Sequence, residues 1–207
     1  MTTRRRRIAL SLLLVILAMT PALASGPVEF ELTGSIRQAR DPVVAEHDGR
    51  YYLFTTGTGI PIRTSDDLRH WTPSGLVFFG LPDWAREHVP GATAIWAPDI
   101  SFFGGRYHLY FAVSTFGSNV SAIGLATNPT LDPADPDYAW TDHGIVIASR
   151  SSDDWNAIDP NIVVTPEGEV WMAFGSFWSG IKMVRIDPET GMRSADDPTP
   201  HAIASRP

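Results

Sequence analysis

The chain has 207 residues, a formal charge of −7 and no cysteine. Without cysteine there are no disulfides and no thiolate metal sites, so an exported fold must hold by its core alone. The acidic balance and the lack of a basic stripe exclude a nucleic-acid partner.

The first element is a leader. Arg4, Arg5, Arg6 and Arg7 precede an apolar run from Ile8 to Met19, then Pro21 and the small-residue site Ala22-Leu23-Ala24. A charged head, a short apolar middle and an A-x-A end predict a secretory signal peptide over residues 1–24, hence a secreted protein. The run is about a dozen residues, short of the roughly 20 a membrane span requires, so no span is expected once the leader is removed. Its removal takes the formal charge from −7 to about −11, further from any phosphate backbone.

The rest of the chain repeats itself. Asp41-Pro42-Val43-Val44 leads through Gly49 to Tyr51-Tyr52-Leu53-Phe54, Pro98-Asp99-Ile100 through Gly105 to Tyr107-His108-Leu109-Tyr110, and Asp159-Pro160-Asn161-Ile162 through Gly168 to Val170-Trp171-Met172-Ala173. Each is a strand, a glycine-containing turn and a second strand, the signature of a hairpin. Third strands follow at Ile60–Ser65, Ile123–Asn128 and Ile181–Arg185, and Trp71–Val77 is echoed by Trp140–Val146 as a fourth. Four strands per unit of about 60 residues predict an all-β propeller rather than a β-sandwich, with blades near residues 41–80, 97–148 and 159–207. No helical period follows the leader. Propellers close with about four to eight blades, so these three are expected to be part of a ring.

In a propeller the first strand of each blade lines the axis, which carries Asp41, Asp99 and Asp159 toward one end. Convergent carboxylates suit acid–base work on a neutral substrate. Asp132, Asp135 and Asp187 read instead as turn residues. Trp96, Phe116, Phe177 and Trp178 fall near the same strand ends, where flat rings stack on sugar faces; Trp71, Trp140 and Trp171 lie within strands and read as core. Phosphate-binding, zinc-protease and nucleophile-elbow motifs are absent, the six histidines show no ligand spacing, and the sequon at Asn119 carries no weight.

Arg40-Asp41-Pro42, Trp96-Ala97-Pro98-Asp99-Ile100, Ser114-Thr115-Phe116-Gly117-Ser118, Asn156-Ala157-Ile158-Asp159-Pro160 and Phe174-Gly175-Ser176-Phe177-Trp178-Ser179-Gly180 together resemble glycoside hydrolase family 43, and within it the endo-1,5-α-L-arabinanases. The resemblance runs from about residue 30 to 207. It implies a five-bladed propeller that hydrolyses α-1,5-linked arabinan or arabino-oligosaccharides with inversion and is a monomer when full length. Asp41 is then the general base and Asp159 the residue that tunes the acid. Trp96, Phe116, Gly117, Asn156, Ala157, Ile158, Gly175, Ser176 and Phe177 line the sugar subsites together with both aspartates.

The family's acid is a glutamate opening the fourth blade, and this sequence stops short of it; Glu167 and Glu169 sit at the wrong phase to replace it. No cofactor is required. A calcium ion in the full-length channel is the one metal the resemblance brings into view, and the family's later histidine near it is missing here. The alternatives are an exo-arabinofuranosidase or β-xylosidase of the same family, and a non-catalytic arabinan-binding fragment.

Overall fold

A computed structural model describes residues 31–205; the expected leader lies outside them. Three sheets, antiparallel except for the first strand of the first, follow one another along the chain. The first holds β1 (Thr33–Gly34), β2 (Val43–His47), β3 (Arg50–Phe54), β4 (Pro61–Ser65) and β5 (His70–Leu76), in the order β1-β5-β4-β3-β2. After α1 (Asp83–His88) the second is β6 (Trp96–Phe103), β7 (Arg106–Val113), β8 (Ser121–Asn128) and β9 (Thr141–Ser149). The third is β10 (Asn161–Val164), β11 (Val170–Phe174), β12 (Ile181–Ile186) and β13 (His201–Ala204). Within each sheet, β2 to β5, β6 to β9 and β10 to β13 pair in chain order, as short hairpin turns dictate.

Burial along the strands fixes how the sheets stack. All of β8 and all but the first residue of β7 are buried, whereas β12 alternates half-buried with buried. A strand covered on one face alternates; one covered on both does not. The second sheet is therefore the middle layer. From β7, Tyr107, Leu109, Phe111 and Val113 join Tyr52, Phe54 and Ile62 of the first sheet in one core. Tyr110 and Ala112 turn the other way, to Met172, Phe174 and Val184 of the third. The first strands of the three sheets adjoin, β6 touching β2 on one side and β10 on the other.

Three features depart from the sequence reading. The helix α1, six residues long, is too short to show a period, yet it lays Trp84 over β8. There a Cβ on Gly124 would fall 2.5 Å from the Trp84 ring, and the indole nitrogen donates to Asp142 at 3.0 Å. The two-residue β1 adds in parallel to the outer edge of β5. Trp71 is buried and Trp140 packs against the first core, but Trp171 lies half-exposed with Val163 and Met183 on the face of the third sheet turned from the second. Alternation reveals that a strand has two faces and is silent about which of them is covered.

Asp132, Asp135 and Asp187 behave as turn residues: each carboxylate accepts the backbone N–H two residues on, at 2.8–2.9 Å.

Candidate active site

Each inner strand is entered through an unusual corner. Asp41, Ala97 and Asp159 have φ of 46°, 38° and 54°, and each precedes a proline: Pro42, Pro98 and Pro160. A left-handed non-glycine residue costs of order 1–3 kcal/mol and persists only where its surroundings impose it. The imposing contacts repeat too. Thr56 N–H donates to Arg40 C=O at 3.0 Å, Gly175 N–H to Ile158 C=O at 2.8 Å, and Trp96 pairs with Ala112 at the matching place in the second sheet.

This register corrects the sequence reading. The residue of the second unit that matches Asp41 and Asp159 is Ala97, not Asp99. Asp99 lies two residues further along, inside β6, where it matches Val43 and Asn161. Its carboxylate accepts Ile162 N–H at 2.8 Å and Asn161 Nδ2–H at 3.2 Å, joining the second sheet to the third. Burial pushes its pKa up, opposed by those two hydrogen bonds.

Asp41 lies within range of Asp159 for its charge to act on that carboxyl. Asp159 keeps an open face to solvent, but crowding by protein raises its pKa above the ordinary carboxylate value, and the nearby charge of Asp41 raises it further. Asp41 accepts the Thr56 hydroxyl at 2.5 Å, and that hydroxyl oxygen in turn accepts Ala97 N–H at 2.8 Å. Sequence reasoning missed Thr56. Its only signal is that it follows β3 as Gly175 follows β11.

Trp96 and Ile158, the residues before Ala97 and Asp159, line a cleft of about 470 Å³ together with Phe116, Gly117, Asn156, Phe177 and Trp178 and with Ser114, Thr115 and Ser118. Phe116 is 97% exposed and Phe177 82%, values far outside those of core rings. The Trp96 and Phe116 rings lie 5.1 Å apart. Phe177 and Trp178 are consecutive left-handed residues, with φ of 53° and 39°. They form a ridge between this cleft and a second cavity of about 590 Å³, which Ser176 also lines.

Three expected subsite residues are engaged below the surface. Ala157 is fully buried, and its N–H donates to the Ser149 hydroxyl at 2.9 Å. Asn156 is buried, its carbonyl accepting the Ser121 hydroxyl at 2.6 Å, although its residue borders the cleft. Gly175 is also buried, with φ 114° and room for no side chain, since a Cβ would come 2.9 Å from Gly180 C=O. Asn119, the sequon residue, donates through Nδ2 to Arg150 and Asp153 carbonyls at 3.0 and 2.8 Å and is 7% exposed.

Among the described residues no three His, Asp or Glu side chains gather as a metal-holding group. Glu169 pairs with Arg185 at 2.9 Å at the turn end of the third sheet, away from both aspartates. The arrangement offers two carboxyls in unlike surroundings beside a wall of exposed rings, which suits protic chemistry on a neutral ligand with flat apolar faces.

Residues 35–203 match the sequence profile of the glycosyl hydrolases family 43. An extracellular exo-α-(1→5)-L-arabinofuranosidase of Cellvibrio japonicus is 46% identical over 166 residues, 79% of this chain and 48% of that protein. An extracellular endo-α-(1→5)-L-arabinanase of Bacillus subtilis is 37% identical over 190 residues, 89% of this chain and 57% of its own. The solved structure of a Cellvibrio cellulosa α-L-arabinanase complexed with arabinohexaose superposes with a TM-score of 0.77 at 43% identity, covering 81% of this chain and 53% of that one. The chain thus spans about half the length of the curated relatives it matches.

Proposed function

The chain belongs to glycosyl hydrolases family 43, and from that premise we propose that it is the base-bearing part of a secreted, inverting arabinan hydrolase. Asp41 activates the attacking water. One of its oxygens is held by Thr56, leaving the other for the water. Asp159, its proton affinity raised by burial and by Asp41, orients and tunes the acid. An inverting pair stands roughly 6.5–9.5 Å apart so that a water fits. The acid comes from outside residues 31–205, because Asp99 is engaged between sheets and Glu169 is paired at the far end. Trp96, Phe116 and Phe177 stack on pentofuranose rings in the cleft.

The three sheets are read as consecutive blades of a five-bladed propeller. Adjoining first strands and face-to-face cores support that arrangement. Export follows from the leader and accords with relatives named extracellular. A monomer and a channel calcium ion remain expectations for the full-length ring.

The observation that carries the proposal is the pairing of Asp41 and Asp159 on matched corners beside an aromatic cleft. Linear α-1,5-arabinan incubated with a protein that joins these residues to the acid-bearing part, followed by proton NMR, tests it. Initial release of the β-anomer supports inversion. Release of the α-anomer overturns it, as does neither cleavage nor calorimetric binding of arabinohexaose; binding without cleavage selects the non-catalytic reading.

A second reading, exo action on the same linkage, is favoured by the 46% identity to an exo-arabinofuranosidase. Product lengths separate the two: arabinose alone for exo, oligosaccharides first for endo.

A further inference from the structure

We propose that Thr56 is the positioning residue for Asp41, fixing its carboxylate from the segment that follows the neighbouring strand β3. This rests on the reading of Asp41 as the base. Asp41 is exposed and sits on a strained corner, so nothing in its own strand holds its side chain. Thr56 reaches it from both ends: its backbone N–H binds the Arg40 carbonyl at 3.0 Å, and its hydroxyl donates to the carboxylate at 2.5 Å.

The hydroxyl is itself aimed. A Thr oxygen has one proton and two lone pairs. Here Ala97 N–H occupies a lone pair at 2.8 Å, which directs the proton to Asp41. Ala97 is held in turn by the backbone bridge next to it, where Gly57 N–H donates to Ile95 C=O at 3.0 Å and Ile95 N–H to Gly57 C=O at 3.1 Å. The relay therefore runs from the second sheet, through Thr56, to a side chain of the first.

The third unit lacks this device. Gly175 stands where Thr56 stands, keeps the backbone bond to Ile158 at 2.8 Å and has no hydroxyl to offer Asp159. The two carboxylates are thus differentiated by one residue: Asp41 is oriented by a donor, and Asp159 is left to burial and to its neighbour's charge. A displaced catalytic group costs about 100-fold per ångström of misplacement, so orientation is where a single hydroxyl acts most strongly.

The test compares the full chain with Thr56→Val, which keeps the shape and removes the hydroxyl, and Thr56→Ser, which keeps it. Side-chain three-bond couplings of Asp41, measured by NMR on labelled protein, should show one rotamer in the parent and in Thr56→Ser, and averaging in Thr56→Val. In a protein that joins these residues to the acid-bearing part, arabinan hydrolysis should fall about 10- to 100-fold in kcat for Thr56→Val, with KM within about twofold, and recover in Thr56→Ser. A single Asp41 rotamer in Thr56→Val, or an averaged one in the parent, overturns the positioning role; the parent measurement decides even where Thr56→Val does not fold. Absence of hydrolysis by the parent of that acid-bearing protein counts against the glycosidase reading alone, and the couplings still decide the role of Thr56.

Discussion

Asp159 lies near enough to Asp41 for the charge on Asp41 to raise the pKa of Asp159, although 118 positions separate them in the sequence. Two corners of the same shape, one per sheet, bring them together. The larger part of the shift is burial, and the neighbour's charge adds to it. Asp41→Asn should therefore lower the Asp159 pKa without returning it to the ordinary value. Carbon-detected NMR titration of the Asp159 carboxyl checks this; an unchanged midpoint breaks the link between the two residues.

The same shift has a stability consequence. A carboxyl whose folded pKa is raised binds its proton more tightly folded than unfolded, so its favourable contribution is present below the unfolded pKa and disappears as pH rises through the folded one. At pH 7 the ionised Asp159 opposes folding. Asp159→Asn should raise the melting temperature at pH 7 and leave it little changed at pH 3, while abolishing catalysis.

His108 carries the opposite sign. It is 1% exposed, stacks on Phe103 with ring centroids 3.7 Å apart, and has no partner at Nδ1. Burial lowers its pKa from 6.5 to about 4. The unfolded chain takes up the proton first as pH falls through 6.5, so stability declines between pH 6.5 and 4, by on the order of 3 kcal/mol in all. Urea unfolding at pH 7 and pH 4.5 should show the decline, and His108→Leu should flatten it.

Phe116→Ala and Phe177→Ala should each weaken arabino-oligosaccharide binding about tenfold, near the value of one stacked ring. Both side chains are largely exposed, at 97% and 82%, so the melting temperature should move by less than about 2 °C. Calorimetry and thermal unfolding on the same samples separate the two effects.

Asn119 should remain unglycosylated in folded protein, because its amide nitrogen is bound to three backbone carbonyls, Arg150, Asp153 and Trp155. Asn119→Ala should cost about 1–3 kcal/mol by stranding those carbonyls. Intact mass after expression in a glycosylating host, with chemical denaturation of the variant, tests both statements.

Much of the fold was legible because hairpins write themselves locally. Gly49, Gly105 and Gly168 mark the turns, and the strand pairs on either side of them form as expected. The second unit was misjudged when its aspartate was matched by identity rather than by distance from the turn. Asp41 stands eight residues before Gly49, Ala97 eight before Gly105 and Asp159 nine before Gly168, whereas Asp99 is only six before Gly105, so distance from the turn points to Ala97. Thr56 left no trace of its role in sequence, since its two partners lie 15 and 41 positions away and meet only where two sheets join. Asn156 and Ala157 belong to the motif around Asp159, but their polar groups brace the loop from beneath.

Phe116, Phe177 and Trp178 owe little to the packed interior and little is owed to them. Such a rim can change its residues generation after generation without disturbing the layers that carry it. On the proposed glycosidase reading, preference for one ligand length over another is then readily acquired and lost, whereas the corner that holds Asp41, tied into two sheets at once, is not.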